Sequence, residues 1–239
     1  MSVVAVIPTR LASTRFPRKA LAADTGLPLV VHVCSQAAQA TGVDRVLVAA
    51  DGEEIKQAVE SHGFECVLTD PEHPNGTSRI NEAMQGIACD LVVNVQGDEP
   101  ELEPDHIDAA IQCLRDHDEC SVATLATPFE SDQDWNDPNL VKVMIDDHGR
   151  AMNFSRTPPD EGTASRHIGL YVYRRAFLPL YVELPPTEDE QCERLEQLRV
   201  LGHGHRIAVA TVPRGHEGID TQEQYAEFVA RWTASHPLS

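Results

Sequence analysis

Four basic side chains follow a short apolar segment near the start of this 239-residue chain. Residues 3–7 are all aliphatic, as in a central strand of a parallel sheet. The segment that follows, PTRLASTRFPRK, contains Arg10, Ser13, Arg15, Arg18 and Lys19. Arginine and lysine bind phosphate through charge-assisted hydrogen bonds, and ligands of open α/β sheets bind where the strands end. We therefore expect a triphosphate site here rather than a solvated basic loop, although the segment has neither a GxGxxG nor a GxxxxGK[ST] motif.

Carboxylates follow a second apolar segment in the same way. Residues 91–95 read LVVNV and are followed by Gln96, Gly97, Asp98 and Glu99. A carboxylate beside a glycine, where another molecule could approach the backbone, suits a magnesium ligand that faces nucleotide phosphates. An acidic surface turn fits this segment equally well. Asp220 in GIDT is either the cap of the next helix or a second magnesium ligand, if it lies near Asp98.

The segment RHIGLYVY, residues 166–173, alternates polar or aromatic side chains with apolar ones. This pattern predicts a strand with one face lining a cavity. Arg166, His167 and Tyr171 are then candidates for contacting an anionic acceptor. A hairpin in which the histidine and tyrosine only pack is the open alternative.

A loop with proline and glycine, HPNGTSR, precedes a predicted helix that runs to Ile87. Thr77 or Ser78 is the predicted cap of this helix. The amide groups at the helix start could meet a base or a phosphate, whereas a plain turn is the simpler interpretation.

Strands and helices alternate through the first half of the chain. Predicted strands at residues 3–7, 45–50 and 65–68 are separated by helices, one of them at Glu53–His62 with Asp51 as its cap. This βαβαβ order predicts an α/β fold with a parallel doubly wound sheet.

After Thr127 the alternation ends. Residues 141–145 and 151–154 predict a hairpin, and Glu188–Leu201 predicts one long amphipathic helix. Gln222–Trp232 predicts a closing helix. The second half therefore adds a smaller β-rich region to the sheet.

The composition restricts the function. With 38 acidic and 19 basic side chains the formal charge is −19, which argues against nucleic acid as a partner. The six cysteines show no CxxC or zinc-type spacing. No segment has the length of a membrane span or the pattern of a signal peptide, so we expect a cytoplasmic protein that does not enter the membrane.

Taken together, eight segments in order resemble the 3-deoxy-manno-octulosonate (Kdo) cytidylyltransferases, also called CMP-Kdo synthetases. They are IPTRLASTRFPRKAL, HPNGTSR, VNVQGDEP, PNLVKVMID, FSR, RHIGLYVYR, LEQLRVL and GIDT. The resemblance implies a Rossmann-like nucleotidyltransferase sheet with a smaller β-rich region for the acceptor and for dimerisation. It also implies CTP as a substrate, a small acidic acceptor, Mg2+ as cofactor and a homodimer.

The same resemblance implies roles for individual residues. CTP would be bound by Arg10, Ser13, Arg15 and Lys19 at its phosphates and by Gly76 and Arg79 near the cytidine. Mg2+ would be held by Asp98 and Asp220, and the catalytic residues would be Arg15, Lys19 and Asp98. The acceptor would be bound by Gln96, Arg156, His167, Tyr171, Glu196 and Gln197. These roles replace the interpretation of Asp220 as only a helix cap.

Two departures from the family pattern concern the acceptor. Arg18 and Ala20 stand where the family usually has glycine and proline, and only Thr157–Ser165 remains where the family has a longer segment beside the sugar. A missing wall fits a smaller acceptor. We therefore expect a cytidylyltransferase acting on a small phosphonate such as phosphonoformate, as in antibiotic biosynthesis, with Kdo as the alternative.

Two further alternatives remain. A CTP-binding regulator without catalysis is disfavoured because both Asp98 and Asp220 are present. Transfer from UTP to a sugar phosphate is disfavoured by the RHIG and LEQLR segments. The chain is expected to form one domain over residues 1–239, with a CTP-binding core at 1–126, an acceptor and dimer region at 127–185 and a return to the core at 186–239.

Overall fold

The computed structural model describes residues 1–130, 134–160 and 162–236. Contacts divide the chain into two compact units, which we describe separately. The first unit contains Val4–Ala88, Asn94–Pro104 and the chain from His216 onward, and the second contains Met1–Val3, Cys89–Val93 and Asp105–Gly215. The expected division at residues 126 and 185 follows predicted roles rather than contacts, and it stays a prediction.

The described residues form nine strands and eight α-helices. The strands are β1 (Val3–Thr9), β2 (Arg45–Ala50), β3 (Glu65–Leu68), β4 (Leu91–Asn94), β5 (Val122–Thr127), β6 (Lys142–Ile145), β7 (Ala151–Ser155), β8 (Ser165–Arg174) and β9 (Ile207–Thr211). The helices are α1 (Leu29–Gln39), α2 (Glu53–Glu60), α3 (Gly76–Ala83), α4 (Pro104–Asp116), α5 (Phe177–Glu183), α6 (Glu188–Glu193), α7 (Gln197–Gly202) and α8 (Gln222–Ser235).

The first unit is built on parallel strands. β1 pairs with β2 from Val4↔Arg45 to Thr9↔Ala50, and β2 pairs with β3 in the same direction. The aliphatic residues of β1 are buried because a parallel strand is covered on both faces. The predicted α/β fold class is therefore confirmed.

Two predicted helix caps are wrong. Gly52, not Asp51, precedes α2, and the Asp51 carboxylate instead accepts the backbone N–H of Leu11 at 3.0 and 3.2 Å. Asn75, not Thr77 or Ser78, caps α3, and its side-chain oxygen accepts from the Ser78 N–H at 2.8 Å. Aspartate and asparagine side chains can each accept from more than one backbone N–H, so residue type alone does not identify the cap.

The second unit is mixed. Its strand order is β4-β8-β5-β9, where β5 is antiparallel to β8 and parallel to β9. β6 pairs with β7 as the predicted antiparallel hairpin and also pairs with β8. The strand predicted from RHIGLYVY is β8, and it lies between β4 and β5.

The predicted single helix over Glu188–Leu201 is wrong, because it divides into α6 and α7. Arg194 has φ 55° and ends α6 in the left-handed conformation. Leu195 and Gln197 are both buried, whereas residues two apart lie on nearly opposite sides of a continuous helix. The break allows both side chains to face the interior of this unit.

The left-handed conformation of Arg194 predicts which of two variants at this position is more stable. Their order distinguishes a broken helix from a continuous one. Left-handed backbone costs a residue with a Cβ about 1 kcal/mol relative to glycine. Arg194→Gly is therefore expected to have a higher free energy of unfolding than Arg194→Ala by about that amount, measured by urea denaturation. Glycine is less favourable than alanine by a similar amount inside a helix, so the opposite order would show a continuous helix.

The longest helix in the described ranges is α8, with 14 residues. A helix needs about 20 apolar residues to cross the hydrocarbon core of a bilayer. No helix among the described residues meets the length and apolarity that a membrane span requires.

Candidate active site

The basic loop after β1 is held in place by its own backbone and by one apolar anchor. The Arg18 N–H donates to the Leu11 carbonyl at 3.3 Å, and the Leu11 N–H is bound by Asp51 as described above. Phe16 is buried in a cluster with Ile219 and Tyr225. Because Phe16 lies between Arg15 and Lys19 in the sequence and Ile219 precedes Asp220, this cluster brings the basic loop to the start of α8.

Lys19 binds two carboxylates at this position. Its ammonium donates to Asp98 Oδ2 at 2.7 Å, to Asp220 Oδ1 at 3.2 Å and to the Ile219 carbonyl at 2.5 Å. Arg15 Nη2 donates to the other oxygen of Asp220 at 2.8 Å. The structure thus brings together the two basic and two acidic residues that the sequence singled out.

Asp220 is not the cap of the last helix. Thr221 is the N-cap of α8, and its hydroxyl accepts from the Gln224 N–H while Gln224 reaches back to the cap. Since the helix end is already satisfied, the Asp220 carboxylate is available to Lys19 and Arg15. This is the proximity to Asp98 that sequence alone could not show.

The interpretation of Gly97 needs correction. A Cβ at this position would lie 3.1 Å from Thr9 Oγ1 and 3.2 Å from the Pro8 carbonyl oxygen. The glycine therefore allows the end of β1 to approach the backbone, rather than making room for another molecule. That approach positions Asp98 beside the basic loop.

Sequence analysis missed a buried pair next to Asp98. His216 Nε2 and Glu99 Oε2 are 2.8 Å apart, and both side chains are largely buried. The Ile219 N–H also donates to the Asp98 carbonyl at 2.8 Å. His216 and Glu99 are 117 positions apart in sequence, so no local pattern could have indicated their contact.

The acidic residues fit the coordination that Mg²⁺ prefers at a nucleotide. Asp98 and Asp220 lie close enough to bind one ammonium, so one cation can reach both. The described residues contain no group of three or more His, Cys, Asp or Glu side chains that could form a complete metal cage. Mg²⁺ is usually bound by one or two carboxylates together with substrate phosphates and water. The donor set therefore suits Mg²⁺ bound with a nucleotide.

Arg79 is a buried guanidinium with unused donors. It donates to Thr69 Oγ1 at 2.6 Å and to the Pro71 carbonyl at 3.4 Å, and it forms no ion pair in the described parts of the chain. Burial lowers the pKa of Arg79; the Asp51 carboxylate opposes this, and the positive charge of Arg10 lowers it further. Arg10 and Arg79 are therefore close enough for their charges to interact.

The other residues predicted at the nucleotide have simpler surroundings. The side chains of Arg10 and Ser13 make no hydrogen bond within the described ranges. A Cβ on Gly76 would lie 3.2 Å from Pro8 Cγ, so this glycine allows the start of α3 to pack on β1. Arg18 binds Glu54 rather than the predicted phosphate region.

The second unit contains five of the six predicted acceptor residues. Arg156 is engaged with the chain itself: its Nε donates to the Glu193 carbonyl at 2.8 Å and its Nη1 to the Pro138 carbonyl at 2.9 Å. Lys142, which the sequence analysis did not single out, is 1% exposed. Its ammonium donates to the carbonyls of Asp137 at 2.7 Å and Arg156 at 3.1 Å, which fixes the backbone at Arg156.

His167 and Tyr171 lie together, but Arg166 does not join them. The rings of His167 and Tyr171 are 5.6 Å apart between centroids. Arg166 is buried on the opposite face of β8, with its guanidinium near Gly215. The grouping of all three is therefore wrong, because adjacent strand residues point to opposite faces.

Burial also lowers the pKa of His167 to about 3, so this side chain is neutral near pH 7.

Glu196 and Gln197 lie at the start of α7. The Tyr181 hydroxyl is 3.3 Å from the Glu196 carbonyl and 3.5 Å from its Oε2. Gln197 is 6% exposed, and its Nε2 has no hydrogen-bond partner among the described residues. Such an orphaned donor is costly unless a ligand satisfies it. Gln96, the sixth predicted acceptor residue, belongs to the first unit and is half-buried.

Comparison with known proteins identifies the class to which this arrangement belongs. The model of a family described as cytidylyltransferases matches residues 4–207. The 3-deoxy-manno-octulosonate cytidylyltransferase of Polynucleobacter necessarius subsp. necessarius is 44% identical over 231 residues, covering 91% of each chain. That of Pelobacter propionicus is 41% identical over 251 residues, covering 98% of each.

A solved structure extends the comparison to three dimensions. A CMP:2-keto-3-deoxy-manno-octonic acid synthetase complexed with CTP has a TM-score of 0.93 at 34% identity, covering 98% of this chain and 100% of that one. The chain therefore belongs to the 3-deoxy-manno-octulosonate cytidylyltransferase family of CTP-dependent nucleotidyltransferases.

Proposed function

We propose that the chain transfers CMP from CTP to 3-deoxy-manno-octulosonate (Kdo) and releases pyrophosphate. The observation that carries this proposal is the cluster in which Lys19 binds both Asp98 and Asp220 while Arg15 binds Asp220. This cluster combines cations for phosphate with a carboxylate pair for a divalent ion. Relatives that align over almost the whole chain are named for transfer to Kdo.

In the proposed reaction an acceptor oxygen forms a bond to the α-phosphorus of CTP, and the bond to the β-phosphate breaks. The acceptor hydroxyl loses its proton to solvent, and pyrophosphate leaves with the electron pair of the broken P–O bond. Such transfers depend on positioning and on neutralisation of charge. Arg15 and Lys19 bind the phosphates that carry the growing charge, and Arg10 and Arg79 bind the nucleotide.

Mg²⁺ is part of the proposal. Asp98 and Asp220 are the residues that would hold it, for the reasons given above. When bound there, it would supply positive charge at the reacting phosphate. We also propose that the enzyme acts as a homodimer, which light scattering in solution would test.

The acceptor is the point at which we depart from the sequence-based expectation. The shortened segment Thr157–Ser165 favours a small phosphonate, whereas the relatives' names favour Kdo. In addition, neutral His167 does not supply the positive charge that a compact, multiply charged anion would require. We therefore place Kdo first, and phosphonoformate becomes the competing outcome of the assay.

The test is pyrophosphate release with CTP and magnesium, with Kdo and phosphonoformate offered in parallel. Release with Kdo, and at least about 100-fold lower kcat/KM with phosphonoformate, is expected from a site built for a hydroxylated sugar acid. UTP in place of CTP is the nucleotide control. Release with phosphonoformate alone would refute the assignment of the acceptor, and CTP binding without turnover on either would favour the regulator.

A further inference from the structure

Thr124 is a fully buried polar residue opposite an irregular part of β8. In the register between β5 and β8, Thr124 is paired with Tyr171 and Leu125 with Ile168. Gly169 and Leu170 are therefore extra residues of β8, as in a β-bulge. The hydroxyl of Thr124 lies 2.8 Å from the Leu170 carbonyl and 3.2 Å from the Ile168 carbonyl.

This arrangement determines which way the hydroxyl bonds to His167. A hydroxyl has one proton, and a carbonyl oxygen can only accept. The arrangement compatible with all three contacts directs the Thr124 proton to the carbonyls, so that Thr124 Oγ1 accepts from His167 Nε2, which is 2.9 Å away. The Nε2 atom of His167 therefore carries the ring proton.

The other ring nitrogen is left without a proton. Burial keeps the imidazole neutral, and a neutral imidazole with its proton on Nε2 presents a lone pair at Nδ1. Nδ1 makes no hydrogen bond within the described parts of the chain. The ring is flanked by the aromatic rings of Phe154 and Tyr171, at 5.0 and 5.6 Å between centroids.

Gly169 leaves space on the same face of β8. The residues at 167, 169 and 171 are all partly buried, whereas their neighbours at 166, 168, 170 and 172 are buried. A Cβ built on Gly169 would meet nothing within 4 Å. There is thus space over Gly169, beside His167 and Tyr171, for a ligand group.

We propose that Thr124 is a positioning residue that holds His167 with its proton on Nε2, so that Nδ1 accepts a hydrogen bond from a hydroxyl group of the acceptor. This inference rests on the proposed function and deepens it. The acceptor class that satisfies Nδ1 is a polyhydroxylated acid. A fully ionised phosphonoformate has no hydrogen to donate and leaves Nδ1 unsatisfied, so Thr124 contributes to the choice of acceptor.

The first test replaces Thr124 by valine, which keeps the shape and removes the hydroxyl. The expected result is a KM for Kdo raised about 10-fold, in keeping with loss of one oriented hydrogen bond, with the KM for CTP unchanged. Thr124→Ser retains the hydroxyl and should restore the wild-type value. An unchanged KM for Kdo in a folded Thr124→Val variant would overturn the proposal.

The second test does not depend on that variant. ¹⁵N NMR of the wild-type protein with labelled histidine should show His167 protonated on Nε2 and unprotonated on Nδ1 from pH 6 to 8. A proton on Nδ1 would overturn this inference alone and leave the proposed function intact. Absence of transfer to Kdo by the wild-type protein would instead overturn the proposed function. It would also overturn the proposed hydrogen bond between His167 and an acceptor hydroxyl.

Gly169→Ala is a third, steric test. The added methyl group has space in the free protein, so thermal stability should be close to that of the wild type. It occupies the region that we assign to the acceptor, so the KM for Kdo should rise at constant KM for CTP. A KM for Kdo equal to that of the wild type would contradict the placement of the acceptor beside His167.

Discussion

Asp98→Asn is expected to lower kcat at least about 100-fold, which is the effect of removing one preorganised electrostatic group from a reacting centre. Asparagine has nearly the same shape and keeps an acceptor oxygen, so the change removes charge rather than volume. Asp98 shares Lys19 with Asp220, and without its charge only one carboxylate remains to hold Mg²⁺. The concentration of magnesium that gives half-maximal turnover should therefore also rise. Steady-state pyrophosphate release over a magnesium titration measures both effects.

Glu101→Gln is the matched control for this variant. Glu101 lies three positions further along the same segment and pairs with Arg231 at the surface. Its neutralisation also removes one negative charge from a strongly acidic chain, yet it should change neither kcat nor the magnesium requirement by more than about twofold. Near-normal turnover of Asp98→Asn at ordinary magnesium would refute the proposed metal role of Asp98.

The positions of the basic loop and of Asp98 could be predicted because they depend on strand direction. Apolar segments at residues 3–7 and 91–95 predict buried strands, and the carboxyl ends of parallel strands meet at one edge. Side chains that follow such strands are then expected to be neighbours. Lys19 and Asp98 are 79 positions apart in the sequence and form an ion pair of 2.7 Å.

Other features depend on packing between distant residues and leave no local signal. The amphipathic pattern over residues 188–201 is compatible with one helix, and only the simultaneous burial of Leu195 and Gln197 requires the break at Arg194. In the same way, RHIGLYVY contains three polar or aromatic candidates for contacting the acceptor. Pairing with β5 determines that one of them, Arg166, faces away from His167.

The charge state of His167 could not be predicted from the sequence either. Histidine beside arginine was interpreted as a contact for an anion, whereas burial makes it neutral. The bulge at Gly169 and the hydroxyl of Thr124 determine which ring nitrogen is protonated. Thr124, a polar residue inside the otherwise apolar segment VATLA, is a sequence feature that could have indicated a polar role at this position.

Lys19→Met is also expected to lower kcat at least about 100-fold. Unlike Asp98→Asn, it should increase the affinity of the free protein for a divalent cation. Methionine retains much of the length of the side chain and removes the ammonium that now binds Asp98, Asp220 and the Ile219 carbonyl. Loss of that ammonium removes a cation for the departing pyrophosphate, so turnover falls. It also leaves two carboxylates close together without their shared counter-ion, so the protein without CTP should bind Mg²⁺ or Mn²⁺ more tightly.

The two effects can be separated with Arg18→Met as the control, because Arg18 is the neighbouring residue and its guanidinium binds Glu54 instead. Calorimetric titration with Mn²⁺ should show tighter binding for Lys19→Met and unchanged binding for Arg18→Met, while pyrophosphate release falls only in the first. Weaker Mn²⁺ binding in Lys19→Met would contradict the role of Lys19 as counter-ion to the carboxylate pair. Loss of turnover with unchanged Mn²⁺ binding would likewise show that Asp98 and Asp220 do not form the cation site, since removal of a competing positive charge must strengthen any such site.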